Sequence, residues 1–283
     1  MSEHIIMCCG ARVKICGHDI EVLDEPRVIC CPLMKKLYGV DEITRDVVKK
    51  VIEYKIKHLG ITTPCRVFDS SLIVPYGASE IIKIGLKEKL FDCAVTVCDG
   101  AGTVITYNPD LVQAIGARLT GIVKTSPVKE TIEYIARHSG VVLDEKTATI
   151  DQVKGVEIAI ERGFKSIAVT VAGFNARDIS KIREKFRTSV NVTIFSICNT
   201  CVAEEDIKHI LKSDLVWASA SKLIREHVGK KSLMQLGVGI PVFVLTTRGK
   251  KVILKYLEHF AEPIVIFRST LPYVVESRGP KLR

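Results

Sequence analysis

The stretch that decides the fold is "KSIAVTVAGFNARDISKIREKFRTSVNVTIFSICNTC", residues 165–201. It opens on a short apolar run of strand length and turns at Gly173. It then passes through "ARDISKIREKF", which reads as a helix, and returns to a second β-branched run, "VNVTIFSI". Strand, helix and strand in that order are the unit from which parallel sheets are wound.

The same alternation extends in both directions. Downstream come "AEEDIKHILK", "DLVWAS", "SKLIREHVGK", "IPVFVLT" and "GKKVILKYLEHF". Upstream, "SLIVPYG" reads as strand and loop, "ASEIIKIGLKEKL" as a helix, and "DCAVTVCDG" as a buried strand and turn. "NPDLVQAIGARL" follows as a helix and "TGIV" as a short strand. In "TSPVKETIEYIARHSG", Ser126 is expected to cap a helix, Pro127 to start it and Gly140 to end it. The expected fold is α/β, a mostly parallel sheet with helices on both faces. A small N-terminal β-rich segment precedes it: "HIIMCC", "RVKIC", "DIEVLD" and "RVICCP" suggest hairpins turning at Gly10 and Gly17. In the helix that follows, Ile43, Val47, Val48, Val51 and Ile52 share a face, and Gly60 stops it. The boundaries are soft: 1–65 for the N-terminal segment, 66–262 for the α/β core, and 263–283 for a final strand and basic tail.

Composition narrows the function classes. Of 283 residues, 47% are hydrophobic and 26% charged, as in a globular chain, and aromatics reach only 6%, which suits a core of Val, Ile, Leu and Ala. The net charge of +9 is spread along the chain and reads as a solvated basic surface, not as a nucleic-acid stripe. No apolar run is long enough to span a bilayer, and the N-terminus lacks the pattern of a signal peptide. The expected location is the cytoplasm, where ten cysteines would be thiols, metal ligands or catalytic groups.

In an open α/β sheet, ligands gather at the carboxyl ends of the strands, so the turns after the strands hold the candidate residues. One turn is "CDGAGT", with Cys98, Asp99, Gly100, Gly102 and Thr103. A second is "AGFNAR", with Gly173 and Asn175, and a third is "CNTC", with Cys198 and Cys201. The glycines would admit a phosphate or a cluster sulfide to the backbone, or make a tight turn. The Cys-x-x-Cys pair suits a disulfide, half a metal site, or packed thiols; in a metal site a third or fourth ligand would come from Cys98, Cys93, Cys65 or the Cys30-Cys31 pair. Next to the helix that follows, Cys198 would be drawn toward thiolate. Cys198, Cys201 and Asp99 are the candidate catalytic residues. Gly100, Gly102, Thr103, Gly173 and Asn175 are the candidate cofactor cradle, and Cys98, Cys198 and Cys201 the candidate metal ligands. Cys93 is five residues from Cys98, so at most one of the two faces such a crevice. Cys30-Cys31 followed by Cys65 resembles the cysteine-rich domain of heterodisulfide reductases, but Phe68 stands where the last ligand should be, so that fold is not carried over. Trp217 packs in the core or lines the crevice.

Taken together, "VPYGASEIIKIGL", "AVTVCDGAGTVITYNPDLVQAIGARLTGIV", "TSPVKETIEYI", "DQVKGVEIA", "IAVTVAG", "DLVWASASKLIRE" and "GIPVFVLTTRG" resemble methanogenesis marker protein 8. The similarity covers most of the chain from about residue 70 onward. It implies a protein of methane-forming archaea that works with methyl-coenzyme M reductase, its maturation proteins or its cofactor supply. It transfers no residue roles. Three readings follow. The first is an assembly, maturation or activation factor holding an iron–sulfur cluster or other metal. The second is a small-molecule α/β enzyme using cysteine or thiol-redox chemistry. The third is an adaptor for an acidic partner.

Overall fold

The apolar runs of the sequence settle in the middle of an eight-stranded sheet, where both faces are covered. The computed structural model describes residues 2–17, 19–117, 121–188, 190–265 and 281–282. The N-terminal part holds β1 (His4–Cys8), β2 (Ala11–Cys16), β3 (Asp19–Val22), β4 (Val28–Cys30), α1 (Pro32–Tyr38) and α2 (Arg45–Leu59). There follow α3 (Ala78–Lys87), β5 (Cys93–Cys98), β6 (Gly102–Thr106), α4 (Pro109–Gly116), β7 (Gly121–Lys124), α5 (Lys129–Arg137) and β8 (Gly140–Val142). The strand–helix–strand stretch becomes β9 (Ser166–Ala172), α7 (Ala176–Lys185) and β10 (Asn191–Ile197), with α6 (Gln152–Glu161) before it. The chain continues through α8 (Glu204–Ile210), β11 (Leu215–Trp217), β12 (Met234–Leu236), β13 (Val242–Val244), α9 (Thr247–Leu257) and β14 (Lys281–Leu282).

The large sheet has the order β12-β13-β11-β10-β9-β5-β6-β8. Only its centre is parallel: β5 with β9, β9 with β10, and β10 with β11. Both flanks are antiparallel, which corrects the expectation of a mostly parallel sheet. The cause on one side is local, because β5 returns at once through residues 99–101 into β6 instead of crossing over through a helix. Side-chain alternation distributes the core as period two requires. Val95, Val169 and Ile194 face α6, α7 and α8, while Ala94, Ala168 and Phe195 face α3 and α9.

A second sheet, β3-β2-β1-β7, is antiparallel throughout. The "TGIV" segment, read as part of the alternation, leaves the large sheet and joins this one, so the N-terminal unit recruits chain from beyond residue 120. The apolar face of α2 (Val48, Val51 and Ile52) packs with Ile6, Val13 and Ile15. Thr44 caps that helix by accepting from Val47 N at 3.3 Å, and Gly60 ends it at φ 61. Ser126 does not cap α5. Its hydroxyl donates to Glu3 O at 2.9 Å and accepts from Glu3 N at 2.9 Å, tying the chain after β7 to the N-terminus, while Val128 stands at the cap position. "SLIVPYG" forms no strand. Most of the expected C-terminal strand and tail, 266–280, lies outside the described residues; Lys281 and Leu282 pair with β4. Among the described residues, no helix is long and apolar enough to cross a membrane.

Candidate functional site: a thiol-lined cavity

The four parallel strands end on a cavity of about 540 Å3, within the range of small-molecule sites. Val97 at the end of β5, Ala172 of β9, Ile197 of β10 and Trp217 of β11 form one wall. The other wall comes from the N-terminal sheet and its helices, with Met7, Cys9, Met34 and Lys55 among its side chains. The position obeys the strand-end rule, with a second sheet closing what would otherwise be an open edge.

The "CNTC" turn is built by its asparagine. Asn199 is buried, and its Nδ2 donates to Ser196 O at 3.1 Å and Trp217 O at 2.8 Å, while its backbone N donates to Ser219 Oγ at 3.1 Å. These bonds lash the ends of β10 and β11 together and leave Cys198 and Cys201 on the cavity wall. Gly173 permits the close approach of the neighbouring turn, since a Cβ there would lie 2.5 Å from Asn199 Oδ1. Asn175, just beyond, lines the cavity.

Opposite stands the two-residue hairpin loop between β1 and β2. Cys9 and Gly10 have φ 51 and 81, the pair of positive values that a type I′ turn requires. Asn, Asp or Gly ordinarily fills the first of those positions, so a cysteine there is held against its backbone preference. The Cys201 thiol lies 3.8 Å from Gly10 O, and a Cβ on Gly10 would come within 2.9 Å of Cys201 Sγ. The two cysteine-bearing turns are in contact. Cys31, at the start of α1, completes four thiols on one cavity.

Backbone strain concentrates at the same place. Among the described residues, eight other than glycine have positive φ, and four of them line this cavity: Cys9, Tyr76, Cys198 and Ser219, at φ 51, 60, 54 and 50. Non-glycine residues in this region cost of the order of 1 kcal/mol or more each and gather at binding and active sites.

The electrostatics are those of a dry pocket. Burial pushes the Cys198 thiol up to about 11, and the nearby Lys55 charge only partly offsets this. Burial likewise raises Cys31 and Cys201. The expected helix-dipole activation of Cys198 is absent for a geometric reason: α8 starts at Glu204, six residues on, and spans seven residues. At neutral pH these thiols keep their protons. Lys55 is buried at 4% exposure, and desolvation lowers its pKa while Cys8, Cys9, Cys198 and, last, Asp99 raise it.

The other predicted turn has a different fate. Cys98 is sealed in a small apolar cluster with Val104, Leu111 and Ile135, and its thiol donates to Asp99 O at 3.3 Å. Asp99 forms a buried ion pair with Arg66 at 2.8 Å and accepts from Thr62 N at 2.6 Å. The Arg66 guanidinium also donates to the carbonyls of Ala114 and Ile115, which anchors the end of α4. Gly100 N donates to Thr125 Oγ1, which also bonds His4 Nδ1, each at 2.7 Å. Gly102 has φ 70, and a Cβ there would lie 2.2 Å from Ala148 O. Thr103 is buried, donating to Gln152 Oε1 and accepting from Asp151 N. None of Cys98, Asp99, Gly100, Gly102 and Thr103 lines the cavity. Of the three cysteines expected to meet, the fold brings together Cys198 and Cys201 and places Cys98 elsewhere. Among the described residues, no three His, Cys, Asp or Glu side chains stand close enough to hold a metal ion. The set Cys98, Cys198 and Cys201 therefore does not fit a preformed metal centre.

Cys31 is one of the distant thiols the sequence offers as a further ligand, and it does reach the cavity, whereas Cys65 and Cys93 do not line it. Cys9 and Lys55 are cavity residues to which the sequence reading gives no role. For Lys55 a signal existed, because it follows Val51 by four and Ile52 by three, on the apolar face of α2. A lysine on a buried stripe has a reason to be there. Cys9 could be suspected from its place beside Gly10 at a hairpin turn.

Residues 4–258 match the profile of a family described as "Uncharacterized protein conserved in archaea (DUF2099)". An uncharacterized protein of Methanocaldococcus jannaschii, MJ0054, is 40% identical over 285 aligned positions, covering 99% of each chain. Among solved structures, a chain of the F420-reducing NiFe hydrogenase complex from Methanosarcina barkeri aligns with 12% identity and a TM-score of 0.33, over 64% of this chain and 72% of that one. A likeness that distant carries no argument.

Proposed function

The chain belongs to the archaeal family DUF2099, and we propose that its working site is the thiol-lined cavity, where it binds a small organic ligand or cofactor. We further propose that it does so in an anaerobic cytosol as an assembly, maturation or activation factor linked to methyl-coenzyme M reductase or its cofactors. One observation carries the first half: Cys9, Tyr76, Cys198 and Ser219, each in a left-handed backbone conformation, surround a single cavity at the ends of the parallel strands. A fold retains such strain in one place when the geometry serves something besides stability. The resemblance to methanogenesis marker protein 8 supports the second half.

The chemistry open to this site is that of neutral thiols in a low-dielectric pocket. Such thiols become nucleophiles or ligands when a base takes the proton, and the thiolate then attacks an electrophile or binds a metal. A metal or cluster reading has in its favour that four thiols share one cavity. The spacing of the side chains stands against a ready-made site, so organic-ligand binding is the reading preferred.

The test is native mass spectrometry of the full chain, mixed anaerobically with the protein-free small-molecule fraction of a methane-forming archaeon. An adduct that prior alkylation of Cys198 abolishes is expected. No adduct, or one indifferent to that alkylation, contradicts the cavity reading. Co-elution with purified methyl-coenzyme M reductase tests the partner separately, and an unshifted elution removes it.

A further inference from the structure

Resting on the cavity being a ligand site, we infer that Lys55 is its charge-recognising group and that the ligand is a compact organic monoanion, an apolar body with one carboxylate or sulfonate head. The inference starts from how this fold treats its other buried cations. Arg66 meets Asp99 at 2.8 Å and Lys83 meets Asp110 at 2.8 Å; even the half-buried Arg183 is bonded to the buried Asp214. Lys55 is as buried as any of them, yet among the described residues it forms no ion pair with a carboxylate. Its neighbours are the ring of Tyr38, 5.9 Å from Nζ, and the thiols of Cys8, Cys9 and Cys198. The Asp99 carboxylate also acts on it, but only through space, because its oxygens are held by Arg66 and Thr62 N.

An isolated buried ammonium costs several kcal/mol, and a lysine on the apolar stripe of α2 would be replaced by a methionine at no loss to packing. What distinguishes this position is that the side chain reaches a cavity. An anion entering there would restore the missing partner in a medium where the attraction is strong.

The rest of the lining fixes the remainder of the ligand. Met34, Ile122, Ile150, Phe174 and Trp217 supply apolar surface. Among the described residues, the one buried carboxylate on the lining, Glu80, is taken up by Ile73 N, Val74 N, Ser79 Oγ and Gln113 Nε2 at 2.9–3.3 Å. Lys36 lines the rim but is exposed, so its charge is screened by water. A single dry positive charge matches one negative charge, not the two of a phosphate monoester.

Calorimetric titration of the full chain with hexanesulfonate and with hexan-1-ol tests this. The sulfonate should bind at one site about tenfold or more tighter than the alcohol, the equivalent of ~1.4 kcal/mol. Lys55→Met should abolish that preference while leaving alcohol binding in place. Equal binding of the two probes to the unaltered protein overturns the role of Lys55 and leaves the cavity standing, whether or not the variant folds. An unchanged preference in Lys55→Met overturns it too. Binding of neither probe sinks the cavity reading along with the inference.

Discussion

Two turns at the carboxyl edge of the same sheet, residues 98–103 after β5 and 198–201 after β10, met opposite ends. Both follow a buried β-branched strand, and both begin with a cysteine. The first folds straight back into β6, so its own chain fills the space a ligand would need. Arg66, Thr125 and the backbone at Ala148 then close over it. The second leaves the sheet toward a helix, and a foreign hairpin carrying Cys9 arrives to face it. The strand-end rule names places where a site can form. The connection that follows the strand decides whether one does.

The largest expected effect separates the two turns by stability. Asp99→Ala strands a buried guanidinium and should cost ~3–5 kcal/mol in denaturant unfolding, whereas Cys198→Ser should cost about 1 kcal/mol or less. Comparable losses would erase the contrast. Next, Gly102→Ala must seat a Cβ 2.2 Å from a backbone carbonyl at φ 70, with an expected cost of about 1–3 kcal/mol. If unfolding shows no cost at Gly102, the first turn is looser than described.

Alkaline titration sharpens the comparison further. Burial raises Cys98 to about 12 and Cys198 to about 11, against 9.0 for a free thiol. Their contribution is intact below pH 9.0 and is lost toward pH 11–12, because the unfolded chain releases protons the folded chain retains. Cys98→Ala should flatten the fall in melting temperature above pH 9 more than Cys198→Ser does, and the reverse order would place the drier thiol in the wrong turn. The smallest effect is at Gly121. A Cβ there would meet Phe174 Cε1 at 2.8 Å and Cys198 Sγ at 3.4 Å. Phe174 is 38% exposed and can turn aside, so Gly121→Ala should slow alkylation of Cys198 with little change in stability.

The sequence made much of this fold legible and left particular things out. Runs such as "IAVTV" and "VTIFS" identify buried strands because burial on both faces demands continuous apolar side chains. They carry no information about which strand lies beside them, so the antiparallel flanks and the departure of β7 to another sheet were not readable. Cys198 and Cys201 were legible from local order along the chain. Cys9 was not, and Cys31 was legible only as one of several distant thiols, because both reach the cavity from the N-terminal part of the chain, more than 160 residues away in sequence. Asp99 looked chemical because a charged residue after a buried strand often is. Its partner Arg66 lies 33 residues upstream, in a loop with no periodicity to announce it.

The most direct measurement is the rate of iodoacetamide labelling at individual cysteines of the native chain at pH 8, mapped by peptide mass, with Cys98 as internal reference. Of the three cysteines in the two turns, the account predicts that Cys201 reacts first, that Cys198 follows without unfolding, and that Cys98 reacts only at the rate of global unfolding. Cys198 labelling no faster than Cys98 would mean that its turn is as sealed as the other, and that the cavity is closed to any ligand.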